Sequence, residues 1–447
     1  MKAKSFNLFI KSKIIPFSKT IRVDSDKSLS IRSFLISAIC QKISTVSNVL
    51  ESEDVNSTIK ACRKLGVKIV KVKSQKYKIY GKGLGCLVSQ KNELLNFSNS
   101  GTLARLLIGI LSTTPNIQIK LKGDHSLNKR SMGNLIELMS KFGASFLPKQ
   151  KKTLPLKLIS SNMPIGIKYK SGASAQLKSA VILAGLNSYG NTIIEEKERS
   201  RDHTENILIN NNQTIKIKKG RNKIIKIFGK RSLNPINIKV CGDPSSAAFF
   251  VTLTLLNNNS LLRIRNVGLN KTRTGFYEIL KKQKAKIKFY NLKKENNEIK
   301  GDILVKSCKL KPFNVPASMY PQTTDEYLLL FVIAALTKGK SSFKGIADLS
   351  NKESARAHEM KKILNQLGIK SKVSKNEMII FGRGMIDASN KKISLGNIGD
   401  HRVAMCAFII SILTNSKTNI KNFETVFTSS PSFLKIMKSL GAKFEIY

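Results

Sequence analysis

The sequence predicts an α/β protein of two similar domains, and three observations carry that prediction. A helix–glycine–strand unit recurs along the 447 residues, and its spacing is close to one sixth of the chain. A break from Asn234-Pro235 to Gly242-Asp243-Pro244 then divides the copies into two groups of three. The composition agrees: 41% hydrophobic and 24% charged residues form an ordinary globular balance that argues against disorder. The length allows two or three domains with sizeable cores.

The copies run in order along the chain. The first is the amphipathic stretch Ile59 to Leu65, followed by Gly66-Val67-Lys68 and Ile69-Val70. The second is Leu135 to Phe142 with Gly143-Ala144, and the third a helix around His203 to Ile209 followed by Thr214-Ile215-Lys216-Ile217. The fourth is degenerate, Phe276 to Lys284 with Ala285-Lys286-Ile287. The fifth is Met360 to Leu367 with Gly368-Ile369-Lys370, and the sixth Phe433 to Leu440 with Gly441-Ala442-Lys443-Phe444. Gly66 and Gly143 are 77 residues apart and Gly368 and Gly441 are 73 apart, against about 75 for one sixth of the chain. Each of these glycines is expected just past a helix end, with positive φ. Strands close on Gly81-Lys82-Gly83, Gly229-Lys230 and Gly382-Arg383-Gly384, which read as tight turns. Gly81-x-Gly83-x-Gly85 is not read as a phosphate loop, because no helix follows in the required place. Two such domains would leave a cleft between them, a common place for a ligand.

Lys plus Arg number 78 and Asp plus Glu 28, a formal charge of +50. Such an excess fits nucleic acid. The lysines are however spread over the whole chain among many Asn and Ile, which is the pattern of AT-rich coding and not of a binding footprint. A basic cleft would equally suit a small anion. The apolar runs Tyr327 to Leu336 and Ala404 to Leu413 fall short of the ~18 residues of a membrane span. The N-terminus lacks a secretory apolar core. The cysteines at 40, 62, 86, 241, 308 and 406 include no close pair, which excludes a Cys-x-x-Cys redox or zinc motif and fits a reducing compartment. The four histidines show no metal-ligand spacing, and no Gly-x-Ser-x-Gly elbow announces a hydrolase triad.

Basic residues stand where several helices begin. A cation is disfavoured there by the macrodipole unless an anion joins it. Asp26-Lys27-Ser28 opens a run to Cys40, with Ser28 and Arg32 on one face. Asn99-Ser100-Gly101-Thr102 caps Leu103 to Leu111, with Arg105 in the first turn and a side-chain-free Gly101 that lets a ligand approach the backbone. Lys129-Arg130 precedes Met132 to Phe142. Lys352 and Arg356 are four apart and are expected on one helical face, with Glu353 between them. Asp400-His401-Arg402 opens Val403 to Leu413. Ser174-Ala175-Gln176 and Asp243-Pro244 also read as helix caps, and Asp325-Glu326 as acids ahead of a buried helix. Five cationic helix starts, spread over both halves, point to one shared polyanionic site.

In this order, the segments resemble the 5-enolpyruvylshikimate-3-phosphate synthase family of enolpyruvyl transferases. The carrying motifs are Asp26-Lys27-Ser28-x-Ser30-x-Arg32, Asn99-Ser100-Gly101-Thr102-x-x-Arg105 and Gly123-Asp124-x-Ser126-Leu127-x-Lys129-Arg130. They continue with Ser174-Ala175-Gln176-x-Lys178-Ser179-Ala180, Ser200-Arg201-Asp202-His203-Thr204-Glu205 and Gly242-Asp243-Pro244-Ser245-Ser246-Ala247-Ala248. Lys352-Glu353-Ser354-x-x-Arg356 and Asp400-His401-Arg402-x-Ala404-Met405 complete the set. The Ser-Ala-Gln and Arg-Asp-His-Thr-Glu forms look like the branch that includes glyphosate-tolerant bacterial enzymes.

The resemblance implies an inverse α/β barrel: two domains, each of three βαβαββ repeats, with the active site in the interdomain cleft. Residues 26–241 would form one domain, and 1–25 with 242–447 the other. It implies transfer of the enolpyruvyl group of phosphoenolpyruvate to the 5-hydroxyl of shikimate 3-phosphate through a tetrahedral adduct that then loses phosphate. No metal or organic cofactor is implied. The partners would be the two anionic substrates, without a specific nucleic acid or a membrane, and the protein a cytoplasmic monomer. Matched motif by motif, Lys27, Ser28, Arg32, Ser174, Ala175, Gln176, Arg201, Asp325 and Lys352 would hold shikimate 3-phosphate. Lys27, Gly101, Arg130, Gln176, Arg356 and Arg402 would hold phosphoenolpyruvate. Asp325, Glu353 and Lys27 form the catalytic set, with Asp325 taking the hydroxyl proton and Glu353 protonating the methylene carbon and later taking that proton back.

The chain departs from the family pattern in places. Ile31 stands where His is usual and Leu106 where many members have Pro, and a phosphate-binding Lys found in some members is absent near Phe427-Thr428-Ser429-Ser430-Pro431. Gly101 is retained where tolerant members often carry Ala. The alternatives are an enolpyruvyl transferase acting on UDP-N-acetylglucosamine and a basic nucleic-acid-binding protein. The first typically needs a loop cysteine, and none lies between Cys86 and Cys241. The second needs clustered cations.

Overall fold

The structure, a computed structural model, describes residues 5–211 and 213–447. Its described strands form six four-stranded sheets. In each sheet whose pairings are all given, the first two strands are parallel and the other two join antiparallel. In the repeat beginning at Glu93, the strand Glu93–Asn96 pairs parallel with Gln118–Lys122, which pairs antiparallel with Leu156–Ile159, which pairs antiparallel with Ser145–Leu147. The helices Gly101–Ser112 and Gly133–Lys141 make the two crossovers, so the chain order is βαβαββ. Parallel neighbours require such a crossover, and the antiparallel pair needs only a short loop.

The chain divides into two compact units. One comprises Ser25–Val240 and Glu295–Glu298. Its three sheets are built around Ile43–Ser47, Gln118–Lys122 and Asn191–Glu196. The other comprises the residues up to Asp24, Cys241–Lys294 and Ile299–Tyr447. Its sheets are built around Leu261–Gly268, Gly339–Lys344 and Lys417–Ile420. Strands distant in sequence complete two of these sheets: Ser18–Ile21 pairs parallel with Leu261–Gly268, and Leu8–Ile10 lies between Lys417–Ile420 and Phe444–Ile446.

The two helices of a repeat differ in burial. The first is apolar nearly all round: every residue of Pro244–Leu256 and Tyr327–Ala335 is buried, and all but Arg402 of His401–Thr414. A helix without a polar face belongs inside a core. The second helix is amphipathic, as in Glu53–Lys64, where acids start and bases end the helix in keeping with its dipole. Among the described residues no helix is long and apolar enough to cross a membrane.

The glycines that mark the repeat have the expected backbone: φ is 85° at Gly66, 95° at Gly143, 74° at Gly368 and 95° at Gly441. In the degenerate copy Lys284 takes the same conformation, with φ 60°. The strand ends turn sharply, with positive φ at Gly83, Lys230 and Gly384, and their first glycines meet a further constraint. A Cβ on Gly81, Gly229 or Gly382 would overlap the carbonyl oxygen of Cys40, Ser188 or Thr337. The residue after each, Lys82, Lys230 or Arg383, donates its N–H to Ala38, Leu186 or Ala335, in the last turn of the buried helix. These glycines let a strand end close onto helix carbonyls that would otherwise lack a donor.

Candidate active site

In the unit formed mainly by Ser25–Val240, three capped helix starts carry most of the expected residues. Asp26 Oδ1 accepts from the Leu29 N–H at 2.8 Å, making Lys27 and Ser28 the first residues of Lys27–Ile39. Ser100 Oγ accepts from the Leu103 N–H at 3.3 Å, with Gly101 first in Gly101–Ser112. Ser174 Oγ accepts from the Leu177 N–H at 3.4 Å, with Ala175 and Gln176 first in Ala175–Leu186. No first turn of these helices contains an acid, so each dipole presents its positive end to an incoming anion.

Side chains tie these starts together. Arg105 Nη1 donates to Gln176 Oε1 at 3.1 Å and to the Gly101 carbonyl at 3.3 Å, and Gln176 Nε2 donates to Thr102 Oγ1 at 3.0 Å. A Cβ on Gly101 would lie 2.9 Å from Arg105 Nη1 and 3.1 Å from Arg130 Nη1. Gly101, Arg130 and Gln176 are thus neighbours, with Arg105 among them. Arg130 Nη2 also reaches Asn99 Oδ1 at 3.5 Å. Lys27 Nζ is 3.0 Å from Asp54 Oδ2. Arg32 is buried; its Nε donates to Thr204 Oγ1 at 3.0 Å, its Nη2 to Ser179 Oγ at 3.3 Å and its Nη1 to the Ser28 carbonyl at 3.2 Å. Arg201 is half-buried, in the bend between strand Asn191–Glu196 and helix His203–Leu208.

In the other unit Asp325, Glu353, Arg356 and Arg402 join one network centred on Asp400. Its carboxylate takes Arg356 Nε at 2.8 Å and Arg356 Nη2 at 3.3 Å. It also accepts from Ser354 Oγ at 2.9 Å and caps helix His401–Thr414 by accepting from the Arg402 N–H at 3.0 Å. Arg356 Nη2 also holds Glu353 Oε2 at 2.5 Å. Arg402 Nη1 donates to the Asp325 carbonyl oxygen at 3.0 Å, and its Nη2 is 3.4 Å from Asp325 Oδ1. Burial alone would lower the Arg356 pKa, but the charges of Asp400 and Glu353 outweigh it and hold the guanidinium above its ordinary value. Each of the two carboxyls expected to move protons, Asp325 and Glu353, therefore has an arginine beside it.

One expectation fails. Lys352 and Arg356 do not share a helical face: the 3-10 turn Ala347–Asn351 ends just before Lys352, and the helix Arg356–Gln366 starts only at Arg356. Lys352 turns to Asp348 at 2.5 Å, and Asp348 also accepts from the Tyr320 hydroxyl at 3.1 Å.

Three supporting residues escaped the sequence reading. Asp54 reads as an ordinary first-turn acid, and nothing local marks it as the partner of Lys27. Asp400 reads as a cap, and its second role toward Arg356, 44 residues away, is purely tertiary. Thr204 stands inside a quoted motif without a side-chain signal for Arg32.

With this geometry in hand, the chain can be compared with known proteins. The EPSP synthase (3-phosphoshikimate 1-carboxyvinyltransferase) family model matches residues 11–437. A 3-phosphoshikimate 1-carboxyvinyltransferase of Zymomonas mobilis is 37% identical over 98% of this chain and 97% of its own length. One of Paramagnetospirillum magneticum is 35% identical over 96% of each. The crystal structure of EPSP synthase from Acinetobacter baumannii superimposes with a TM-score of 0.84 at 33% identity, covering 99% of this chain and 100% of the other. The enolpyruvyl transferase NikO from Streptomyces tendae, 13% identical, shares the fold with a TM-score of 0.78.

Proposed function

The chain belongs to the EPSP synthase (3-phosphoshikimate 1-carboxyvinyltransferase) family, and from that premise we propose how its own residues divide the work. The reaction transfers the enolpyruvyl group of phosphoenolpyruvate to the 5-hydroxyl of shikimate 3-phosphate and releases phosphate, a step toward the aromatic amino acids. The relatives favour it over transfer to UDP-N-acetylglucosamine and over nucleic-acid binding.

In this reading Lys27, Ser28, Arg32, Ser174, Ala175, Gln176 and Arg201 hold shikimate 3-phosphate, with Asp325 and Lys352 at its reacting end. Lys27, Gly101, Arg130, Gln176, Arg356 and Arg402 hold phosphoenolpyruvate. Asp325 takes the proton of the 5-hydroxyl as its oxygen bonds to the central carbon of phosphoenolpyruvate. Glu353 gives a proton to the methylene carbon, which becomes a methyl group, and the tetrahedral adduct results. Glu353 then recovers a proton from that methyl as the carbon–oxygen bond to phosphate breaks and the double bond re-forms, and the proton held by Asp325 leaves with the phosphate. Arginines beside both carboxyls suit developing negative charge on carboxylate and phosphate. The observation that carries the reading is the Asp400-centred network, which brings Glu353, Arg356 and Arg402 together, with Asp325 on Arg402. Each compact unit is taken as one domain. One chain supplies every named group, in keeping with a monomer. Six cysteines with no Cys-x-x-Cys pair suit the cytoplasm.

The test is phosphate release from phosphoenolpyruvate by the purified protein. Release is expected with shikimate 3-phosphate and not with UDP-N-acetylglucosamine, and the reverse preference would refute the assignment. Gly101→Ala is a finer probe. Its new methyl would press on the ends of Arg105 and Arg130, flexible groups that can yield by a few tenths of an ångström. The expected result is a KM for phosphoenolpyruvate raised about three- to tenfold, roughly 1 kcal/mol, and weaker inhibition by glyphosate, to which the Gly101 protein is expected to be sensitive. A glyphosate inhibition constant far above the KM for phosphoenolpyruvate in the unmodified protein would contradict that sensitivity.

A further inference from the structure

Four ionised side chains with no place in the reaction are packed behind the residues assigned to shikimate 3-phosphate. Lys178 is fully buried, its Nζ 2.6 Å from Glu196 Oε1 and 2.8 Å from Glu205 Oε1. Lys223 Nζ closes the quartet, 3.1 Å from Glu205 Oε1 and 3.3 Å from Glu196 Oε2. Burial pushes both carboxyls up, but the two ammonium groups outweigh it and hold them below the ordinary glutamate range. The formal charges cancel, two against two.

Stability is a poor reason for such a cluster. Each buried ion loses hydration worth several kcal/mol, and well-packed apolar side chains often do as well or better. Glu205 Oε2 makes no hydrogen bond among the described residues, and a partly satisfied polar network is inferior to an apolar core. What the quartet does supply is geometry. Its members come from four segments: helix Ala175–Leu186, the end of strand Asn191–Glu196, helix His203–Leu208 and strand Lys223–Phe228. Three of them sit beside groups that touch the assigned site. Lys178 precedes Ser179 and lies one turn after Ser174. Glu205 follows Thr204, and the hydroxyls of Ser179 and Thr204 are 2.8 Å apart and accept the Nη2 and Nε hydrogens of Arg32. Glu196 Oε1 accepts from the Ser200 N–H at 3.0 Å and from its hydroxyl at 2.7 Å, fixing the bend that leads into Arg201.

We propose that Lys178, Glu196, Glu205 and Lys223 are positioning residues for shikimate 3-phosphate, acting through Ser179, Ser200 and Thr204 on Arg32 and Arg201. This rests on the assignment of those arginines to that substrate. Misplacing a binding group by a fraction of an ångström is enough to lower affinity severalfold or more. Groups assigned to phosphoenolpyruvate alone have other supports, such as Asn99 for Arg130 and Asp400 for Arg356.

The test compares Glu196→Gln, Lys223→Met and Arg201→Met with the unmodified enzyme, using shikimate 3-phosphate and phosphoenolpyruvate themselves. Glu196→Gln keeps the side-chain shape, and Lys223 lies at the hydrated rim, so the pair guards against one variant failing to fold. For E196Q the KM and the Kd for shikimate 3-phosphate are expected to rise about tenfold, and for K223M about threefold. In both, the KM for phosphoenolpyruvate is expected to change less than twofold and kcat less than threefold. Wild-type affinity for shikimate 3-phosphate in folded E196Q and K223M would overturn the proposal. So would an equal rise in both KM values, which marks a merely structural role. Arg201→Met separates the two layers. If it loses shikimate 3-phosphate while E196Q and K223M do not, the positioning proposal fails and the assignment stands. If R201M binds normally as well, the assignment fails and takes the proposal with it.

Discussion

Replacing Glu353 by glutamine is expected to cut kcat by about 10³-fold while leaving both KM values within about threefold, in line with the 10²–10⁴ typical of a positioned general acid–base. The amide keeps the size of the carboxyl and can still accept from Arg356 Nη2, which holds Glu353 Oε2 at 2.5 Å. Binding and local structure should therefore persist. What the amide cannot do is give a proton to a carbon and take it back. Both halves of the reaction need that exchange, so the loss should appear in formation of the adduct and in its breakdown. Steady-state phosphate release with saturating substrates reads the effect. A variant retaining more than a tenth of wild-type turnover would remove Glu353 from the proton path.

The second large effect is expected at Arg356. Its guanidinium is buried between Asp400, whose side chain is fully buried, and Glu353. Arg356→Met would leave Asp400 with Ser354 Oγ and the Arg402 N–H but without its cation. Removing one partner of a buried pair typically costs about 3–5 kcal/mol, because the remaining charge stays desolvated. The variant should unfold at clearly lower urea concentration, and its KM for phosphoenolpyruvate should rise more than tenfold. Arg356→Lys keeps the charge but cannot reproduce the fork that meets both oxygens of Asp400, so it should fall between the two. Equal stability of R356M and the unmodified protein would show that the pair with Asp400 carries little net energy.

What was legible in the sequence was what is local. Helix caps declare themselves within three residues, and Asp26, Ser100, Ser174, Asp243 and Asp400 all cap the helices they precede. The repeat was legible because a left-handed residue follows the second helix at Gly66, Gly143, Lys284, Gly368 and Gly441, and that conformation favours glycine. The degenerate copy was harder because Lys284 bears the same backbone strain without that signature. Gly81, Gly229 and Gly382 carry a constraint beyond the turns they precede. Their constraint is a carbonyl about 40 residues earlier in the chain, which no local pattern reveals. Lys352 and Arg356 have helical spacing, yet the chain is not helical between them, and the long-range attraction of Arg356 to Asp400 sets its direction. Asp54 and the buried quartet stayed hidden for the same physical cause: pairing across elements depends on how sheets and helices stack. The large positive charge says little about the reaction, because lysines are scattered over helices, strands and loops, and many, such as Lys68, Lys71 and Lys73 in one edge strand, are exposed.

The most direct test of the central claim, that Glu353 carries the proton to and from the methylene carbon, is isotope incorporation in deuterated water. The enzyme is incubated with phosphoenolpyruvate and shikimate 3-phosphate, and deuterium at the methylene carbon of the product and of recovered phosphoenolpyruvate is followed by mass spectrometry. The unmodified protein is expected to place deuterium there, since the methyl of the adduct loses any one of three hydrogens. Glu353→Gln, with both substrates still bound, is expected to lose that incorporation. Incorporation by Glu353→Gln at the wild-type rate would assign the proton to another group and contradict the account.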